Sequence, residues 1–383
     1  MSQAQGSAGA LVPGAMAARP ARPVLRAVPL ADMAAQPDML AGWRQLAEAG
    51  CLPMQGPAFL LDVARCWLAD ADARALVVEA GGRLRALLPL VRERGWLARW
   101  RMIGPCEVYE PNDALYADAA AAAALAEGLA RRRLALRLHR VPAGSALVPA
   151  LRRALRGRGW LVARAAAPTP AIALHAGWAD PASQLNPGRR SDLRRAARRA
   201  AACGVVSYEM LCPGPARFDA LFDEAVAVEQ SGWKRAAGSA MRCDPAKAAF
   251  FRGWMRQACD EGLGRFAFLR IDGRAVAMQM GAMWQGRYWL FKIGYDEAHC
   301  ACSPGNLLML HCLGEAARAG LSSFELLGGM ERWIADLWTR AANPCLDIRI
   351  YPFAPAGLAA LLADGAAWAG QKLRARATGP GPG

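Results

Sequence analysis

Residues 287–329, RYWLFKIGYDEAHCACSPGNLLMLHCLGEAARAGLSSFELLGG, decide the fold that the sequence predicts. Arg287–Tyr295 is aromatic and apolar enough for a buried strand. Ser303-Pro304-Gly305-Asn306 then begins a helix that runs from about Leu307 to Ala319. Ser322–Leu327 is the next strand, and the glycines that follow it let the chain leave the sheet. The predicted order is strand, tight loop, helix, strand.

The start of this helix is suited to an anion. Serine at the N-cap, proline at the first helical position and Gly320 beyond the end are typical helix boundaries. A helix start carries unpaired N–H groups and the positive end of the helix dipole, so it can hold a phosphate. His311, Glu315 and Arg318 form a narrow polar stripe on an otherwise apolar helix, so we expect it to pack against a sheet.

Size and composition indicate a packed protein of about two domains. The 383 residues are 54% hydrophobic, which is enough for a core in each domain. No apolar stretch approaches the ~18–20 residues of a membrane span. Residues 1–23 are rich in Ala, Gly and Pro, so we expect a disordered tail. A secretory signal is the alternative, but the basic segment that should precede Ala10–Ala18 is missing, and we predict a cytoplasmic protein.

Charge and cysteines narrow the class of ligand. The formal net charge is +15 and the pI is near 9.8, although the excess of arginine over lysine could reflect a GC-rich genome. A basic surface favours a nucleotide cofactor, a nucleic acid or a membrane surface. The 11 cysteines are too dilute for a disulfide scaffold. Residues 299–312 contain a His and Cys cluster without Cys-x-x-Cys spacing, so we expect no metal.

The two halves of the chain follow one plan. Asp272-Gly273 joins two β-type runs in the C-terminal half, which is a strong hairpin signal. Gly81-Gly82 does the same in the N-terminal half, and VVEAGGRLRALLPL aligns with FLRIDGRAVAMQMG turn on turn. We predict an α+β protein of two duplicated domains, residues 24–180 and 181–355, each a mixed sheet flanked by helices. Residues 356–383 are expected to form a C-terminal helix and a flexible tail.

Several short motifs occur in a particular order. They are EQSGWK at 229–234, the hairpin turn at 272–273, Tyr-Asp at 295–296, Ser-Pro-Gly at 303–305, Gly-Gly at 328–329 and Trp-Thr at 338–339. YEPNDAL at 109–115 in the first half, and the basic segment NPGRRSDLRR at 186–195 between the halves, complete the set. As a set they resemble the GNAT acyltransferase superfamily, and within it the FemAB-like and CelD-type proteins with tandem GNAT-like domains. The resemblance covers most of residues 59–352.

This resemblance implies transfer of an acyl group to an amine from acyl-CoA, or from aminoacyl-tRNA in the Fem branch. In GNAT folds two neighbouring parallel strands splay apart and bind the pantetheine arm; here they would be Arg287–Tyr295 and Ser322–Leu327. The following loop and helix start take the pyrophosphate. The implied cofactor-binding residues are Ile293, Gly294, Ser303, Pro304, Gly305, Asn306 and Leu307. A backbone N–H near Ile293 or Gly294 would meet the developing oxyanion.

Two features depart from the family pattern. The phosphate loop Arg/Gln-x-x-Gly-x-Gly/Ala is reduced to CSPGN at 302–306, with one glycine and no adjacent arginine. Trp333-Ile334 stands where many relatives carry Tyr-Lys, and tryptophan cannot donate a proton to the leaving group. The thiolate of CoA is itself a good leaving group, so turnover does not require that acid.

Four residues are candidates for the chemistry, and each has an ordinary structural alternative. Glu325 could deprotonate the incoming ammonium, or it could lie on the wetter face of its strand. Glu229 could do the same, or it could be a solvated acid at a helix end. Lys292 could pair with Glu325 or with a phosphate, and Tyr295 could be an acid near the thioester. Gln279 is expected to face outward.

The sequence says least about the acceptor site and about what the basic helix binds. Tyr109 and Asp113 could complete an acceptor pocket between the halves, although turn chemistry explains Asp113 equally well. Trp233 and Lys234 would line the acceptor side from the C-terminal half. The arginine-rich run at 189–199 could follow the phosphates of tRNA or an anionic lipid surface. It lacks nearby aromatic residues for base stacking, so tRNA is not favoured and a solvated connecting helix is the alternative.

The sequence therefore predicts an N-acyltransferase. It would move an acyl group, acetyl or longer, from acyl-CoA to a small-molecule amine by direct attack and without a metal. The CelD-type resemblance alone implies a setting in cell-envelope or exopolysaccharide metabolism. Two alternatives stay open: an aminoacyl-tRNA-dependent Fem-type transferase, and a non-catalytic partner protein in polysaccharide biosynthesis.

Overall fold

The computed structural model describes residues 23–50, 52–95, 97, 99–232 and 241–377. Of the tail expected at 1–23, residues 1–22 lie outside this set, as do the predicted acceptor residues Trp233 and Lys234. The strands are β1 Val24–Pro29, β2 Ala73–Ala80, β3 Arg83–Arg92, β4 Arg99–Met102, β5 Leu115–Tyr116, β6 Ala135–Pro142, β7 Gly159–Ala173, β8 Val206–Leu211, β9 Gly264–Ile271, β10 Arg274–Trp284, β11 Arg287–Tyr295, β12 Ser323–Glu325 and β13 Ala342–Pro352.

Helices cover both faces of the sheet. They are α1 Leu30–Ala35, α2 Pro37–Glu48, α3 Pro57–Trp67, α4 Pro105–Val108, α5 Ala119–Arg132, α6 Leu147–Ala154, α7 Pro187–Cys203, α8 Pro215–Gln230, α9 Pro245–Asp260, α10 Pro304–Arg318, α11 Arg332–Leu337 and α12 Pro355–Ala377. Most begin with proline, whose missing N–H has no helical partner at that position anyway. Over the described ranges, every helix is too short or too polar to cross a bilayer.

All the strands join one sheet, and its order is symmetric about the centre. The order is β1-β2-β3-β4-β6-β13-β7-β12-β11-β10-β9-β8, with β5 paired to β3. Most neighbours are antiparallel, but β4 runs parallel to β6 and β11 runs parallel to β12. From either end, the same sequence of antiparallel strands leads to a parallel pair. The predicted α+β class, with a mixed sheet flanked by helices, is confirmed.

The two halves exchange their last strands. β7 pairs with β13 from Gly159 to Pro170 and then with β12 through Ala171–Ala173. β13, from the C-terminal part of the chain, lies between β7 and β6. The halves therefore share a single sheet, and a division at residue 180 does not follow this exchange. Strand patterns in sequence do not reveal which neighbour a strand will join.

Helix α12 is fixed to the N-terminal half of the sheet by one buried carboxylate. Asp364 Oδ1 accepts hydrogen bonds from Arg99 Nη1 and Arg137 Nη2, each at 2.6 Å. Its Oδ2 accepts from the Tyr351 hydroxyl at 2.7 Å, and Arg349 Nη1 lies 3.1 Å away. Asp364 and Arg99 are 8% and 5% exposed, so this network lies in a largely water-free environment.

We expect Asp364→Ala to lower the free energy of unfolding by about 3–5 kcal/mol, because it leaves Arg99 buried without a counter-ion. Urea denaturation measures the change. Asp336→Ala is the control, since this exposed carboxylate lies 3.5 Å from Arg332 on the surface of α11. Its loss should change the free energy by less than ~1 kcal/mol.

The Asp364 effect should depend on pH. Burial pushes the pKa of Asp364 up, but hydrogen bonds from Tyr351, Arg99 and Arg137 outweigh burial and lower it below its ordinary value. A depressed folded-state pKa stabilises the protein above the unfolded pKa of ~3.9, and the gain is lost as pH falls through the folded value. The deficit of Asp364→Ala should therefore shrink in acid. A deficit that is equal at neutral and strongly acidic pH would contradict this account.

Candidate active site

Strands β11 and β12 part soon after they meet. They pair in parallel only at Arg287–Trp289 against Ser323–Glu325. β11 then continues from Leu290 to Tyr295, whereas β12 ends at Glu325. A gap therefore opens between Leu290–Tyr295 and the segment that follows β12, at the place where the family resemblance implies a splay.

A β-bulge bends β11 at the mouth of this gap. Gly281 of β10 pairs with Leu290, and the preceding Met280 pairs with Lys292. Phe291 is therefore an extra residue in β11. A bulge bends its strand and increases the local twist, so β11 turns away where it loses its parallel neighbour.

A left-handed turn forms the other wall of the gap. Leu327 and Gly328 have φ angles of 56° and 54°, which take the chain out of β12. Leu327 is 1% exposed, and a side-chain-bearing residue holds this conformation only when its surroundings impose it. Glu110 Oε2 accepts a hydrogen bond from the Gly328 N–H at 3.1 Å. Arg140 donates to the carbonyl oxygens of Gly328 and Tyr109, so the N-terminal half holds this turn in place.

A cleft of about 350 Å³ lies between the end of β11 and the start of α10. Six of the predicted cofactor-binding residues line it: Ile293, Gly294, Ser303, Pro304, Gly305 and Asn306. The seventh, Leu307, is buried in the core, because the helix begins at Pro304 rather than at residue 307. Glu229, Gln279, Tyr295, Met309 and Trp333 also line the cleft.

The start of α10 offers fewer donors than the sequence suggests. Ser303 occupies the N-cap position as predicted, but its φ is 46° and its hydroxyl makes no capping bond. Its carbonyl oxygen instead accepts from the N–H groups of Asn306 and Leu307, at 3.1 and 3.2 Å. Pro304 has no N–H. Gly305 therefore supplies the main backbone donor that remains for a ligand here.

Helix α7 brings the positive charge that the loop lacks. A second cavity of about 350 Å³ adjoins the cleft at Ser303 and Asn306. Three arginines of α7 line it: Arg189, Arg195 and Arg199. Ala196 and Ala200 are buried on the inner face of α7, and Arg199 Nε donates to the Ala301 carbonyl at 2.5 Å. The basic helix is thus packed onto the loop that precedes α10.

The two predicted proton acceptors lie in different surroundings. Glu229, 1% exposed, lines the cleft, and its Oε2 accepts from the Met241 N–H at 2.9 Å. Glu325 does not line any of the cavities described here. Its oxygens accept from the Ser323 hydroxyl at 2.7 Å and the Asn343 amide at 2.8 Å. Glu325 therefore connects β12 to its neighbours.

The other two catalytic candidates line different cavities. Lys292 lies on the gap side, with Nζ 4.6 Å from the centre of the Phe251 ring. Glu325, its predicted partner, lies 3.6 Å from Arg287 Nη1. Tyr295 lines the cleft, and its pKa is raised by burial and by nearby acidic groups. Its phenol therefore stays protonated at neutral pH.

The predicted acceptor residues are not brought together. Asp113 is buried within the N-terminal half, where Oδ1 accepts from the Ala114 N–H at 2.8 Å. Burial raises its pKa to about 7, against the opposing hydrogen bonds from Ser145, Ala114 and Tyr116. Tyr109 is 56% exposed, and its ring is stacked by the guanidinium of a neighbouring arginine. Neither residue lines the cleft.

The sequence analysis missed Gln279 as a cleft residue. Gln279 was expected to face outward, yet it is 2% exposed and lines the cleft. Its Oε1 has no hydrogen-bond partner among the residues that the structure describes, and its Nε2 lies 3.7 Å from Met309 Sδ. Helices cover both faces of β10, so the alternation of apolar and polar residues along the strand could not predict which way the Gln279 side chain points. A single polar residue in an apolar central strand was the available signal.

Comparisons with known proteins agree on the fold. The family described as Acetyltransferase (GNAT) domain matches residues 187–333. Solved structures with a similar fold include FemX, with a TM-score of 0.54, 9% identity and coverage of 82% of this chain and 96% of that one. Another is a conserved protein of unknown function from Bacteroides thetaiotaomicron VPI-5482, with a TM-score of 0.53, 13% identity and coverage of 81% of this chain and 97% of that one. A third is L-PGS from Bacillus licheniformis, with a TM-score of 0.50, 11% identity and coverage of 82% of this chain and 91% of that one.

A search of curated protein sequences found no match. The structural likenesses, all at low identity, show the fold alone. Together with the family match, they identify a GNAT-type α+β fold. The residues that line the cleft lie within the matched segment, apart from Leu337.

Substitution of Gly294 should disturb the cleft wall. A Cβ at this position would lie 2.7 Å from the Glu229 Cα, a backbone atom that cannot rotate away. We expect Gly294→Ala to lower the free energy of unfolding by about 1–3 kcal/mol. Gly305→Ala is the matched control, because its Cβ would meet Tyr295 Cδ1 at an ordinary 3.5 Å. In the first turn of a helix this change should be neutral or stabilising by up to ~1 kcal/mol.

Chemical denaturation of both variants measures these changes. Equal stability losses in the two variants would show that the close approach of β11 to α8 does not limit this position.

Proposed function

We propose that this protein is an acyltransferase that moves an acyl group from acyl-CoA to an amine. The observation that supports this most directly is the parting of β11 from β12 beside a cleft that leads to the start of α10. A strand that leaves its neighbour presents backbone donors and acceptors. The pantetheine arm of CoA carries two amides and can pair with such an edge.

The cleft has polar groups at both ends for the rest of CoA. The buried Gln279 Oε1 needs a donor, and a pantetheine amide N–H can supply one. Ser303 and Gly305 at the α10 start, with Arg189 and Arg199 of α7, would bind the pyrophosphate and the ribose phosphate. The arginines of α7 would thus replace the arginine that the family's phosphate loop normally carries.

The proposed reaction is direct. The amine nitrogen attacks the thioester carbonyl carbon, the C–S bond breaks, and its electron pair leaves on the sulfur. We assign Glu229 as the acceptor of the amine's proton, directly or through a water, because it lines the cleft. Tyr295 can protonate the departing thiolate, and a backbone N–H near Gly294 would stabilise the oxyanion. Glu325, already bound to its strand neighbours, is assigned a structural role.

We expect calorimetry to detect binding of acetyl-CoA or a longer acyl-CoA to the wild-type protein. Arg189→Ala should weaken this binding about tenfold or more, because it removes a charge-assisted phosphate contact. Arg198→Ala is the matched control, since it lies on the same helix but lines neither the cleft nor the cavity beside it. Absence of any acyl-CoA binding would sink the proposal and leave the aminoacyl-tRNA-dependent and non-catalytic alternatives.

Gln279→Met separates binding from structure in the same experiment. Replacing an unsatisfied buried amide with an apolar side chain of similar size should keep or raise the stability. Binding of acyl-CoA should nevertheless weaken, because the pantetheine loses an acceptor.

One observation favours the aminoacyl-tRNA alternative. The outer side of α7 faces a groove of about 340 Å³ lined by Arg190, Arg194 and Arg318. Tyr208 and His311 are stacked in it, with ring centres 5.0 Å apart. The sequence analysis found no aromatic residue near the basic helix, because these two come from β8 and α10. Arginines beside stacked rings can bind an unpaired base and its phosphates.

A tRNA binding assay separates the two donors. Our proposal expects only weak binding at ~150 mM salt, and no dependence on the aromatic stack. If aminoacyl-tRNA is the donor, binding should fall steeply with salt, and the double change Arg190→Ala and Arg194→Ala should reduce the salt slope by about 2. The double change Arg131→Ala and Arg132→Ala on α5 is a charge-matched control remote from α7.

The physiological setting is also a proposal. The CelD-type resemblance supports a role in cell-envelope or exopolysaccharide metabolism, with a small-molecule amine as acceptor.

A further inference from the structure

The gap between β11 and the chain after β12 contains a cavity of about 160 Å³, hereafter the gap cavity. Leu290–Ile293 forms one wall and Leu326–Gly329 forms the other. The gap cavity and the cleft share Ile293 and Trp333. A molecule in the gap cavity would therefore lie next to a molecule in the cleft, with Ile293 and Trp333 between them.

Glu110 extends into the gap cavity from the N-terminal half. One oxygen, Oε2, accepts from the Gly328 N–H. Among the residues that the structure describes, none donates a hydrogen bond to Oε1. The sequence analysis selected its neighbours Tyr109 and Asp113, but Glu110 is the member of this turn that reaches the gap.

The lining of the gap cavity combines an apolar surface with an excess of negative charge. Its apolar residues are Leu290, Phe291, Leu326, Leu327, Trp333 and Ile334. Its charged residues are Glu110, Lys292 and Glu331. Burial raises the pKa of Glu110 to about 7, against the Gly328 N–H, Arg140 and Lys292, which lower it. A carboxylate that burial still destabilises gains most from one more cation.

We propose that the gap cavity is the acceptor site, that it takes a primary ammonium on an apolar arm, and that Glu110 is the anionic partner of that ammonium. This rests on the proposed function, since acyl-CoA would have to occupy the cleft on the other side of Ile293. The two cavities meet there, so an amine bound at Glu110 would lie beside the thioester. The apolar walls would hold the arm and exclude water.

Glu110 could instead serve only to hold the Gly328 turn, and one substitution separates the two roles. Glu110→Gln keeps an oxygen that accepts from the Gly328 N–H, but it removes the charge. A purely structural Glu110 should tolerate this change without loss of amine affinity. An ammonium-binding Glu110 should not.

The test uses the full chain loaded with CoA, and hexylamine as the probe. Calorimetry should detect hexylammonium binding to the wild type and a loss of about 10- to 100-fold in Glu110→Gln. Binding to the wild type should strengthen as pH rises through about 7, because Glu110 ionises while the amine stays cationic. The other charged groups facing Glu110 are Lys292 of β11, Arg140 of β6 and Glu331. The pH dependence should disappear in Glu110→Gln.

Asp113→Asn completes the design, because Asp113 is a buried acid of the same turn with a similar pKa outside the gap cavity. Thermal denaturation checks that each variant is folded. With CoA bound, failure of hexylamine to bind, or equal binding to Glu110→Gln, overturns the acceptor site alone. Weakening by Asp113→Asn instead would restore the sequence-based assignment. Failure of CoA to bind the wild type counts against the proposed function, while a Glu110-dependent amine site would stand.

Discussion

The site depends on the two backbone hydrogen bonds that hold Gly328 in place. Its N–H is bound by Glu110 and its carbonyl oxygen by Arg140, both from the N-terminal half. The preceding residue, Leu327, is buried in a left-handed conformation that is strained for leucine. These hydrogen bonds hold the chain in that conformation. Released from them, residues 326–329 could extend β12 along the edge of β11 and close the gap. The C-terminal half carries the cleft, but the N-terminal half keeps it open.

The symmetric order of the sheet raises the question of why only one half would bind a ligand. By position, β4 and β6 correspond to β11 and β12, and α5 corresponds to α10. At the start of α5, Asp118 Oδ1 accepts from the Ala121 N–H at 2.8 Å, and Arg85 pairs with its other oxygen. That helix start already holds an anion, its own side chain. Ser303 makes no such capping bond, so the start of α10 is the one left for a ligand.

Local patterns predicted much of this architecture, and long-range ones did not. The bounds of Arg287–Tyr295 follow from its aromatic run and from the turns that flank it. The bulge at Phe291 is a shift in the register between β11 and β10. The sequence of one strand alone does not contain this information. The exchange of β7 and β13 is invisible for the same reason. Glu110 was overlooked because its role depends on Gly328, more than two hundred residues away in the chain.

The phosphate loop shows how a departure from a family pattern can be resolved in three dimensions. The sequence of residues 302–306 lacks an arginine, yet α7 presents a row of them to Ser303 and Asn306. Because the helix has 3.6 residues per turn, its arginines divide between two sides. One side faces the cavity that adjoins the cleft, and the other faces the groove with Tyr208. Net charge therefore cannot distinguish a nucleotide cofactor from an RNA, since the same helix serves either. The side of α7 that binds the donor therefore distinguishes acyl-CoA from aminoacyl-tRNA.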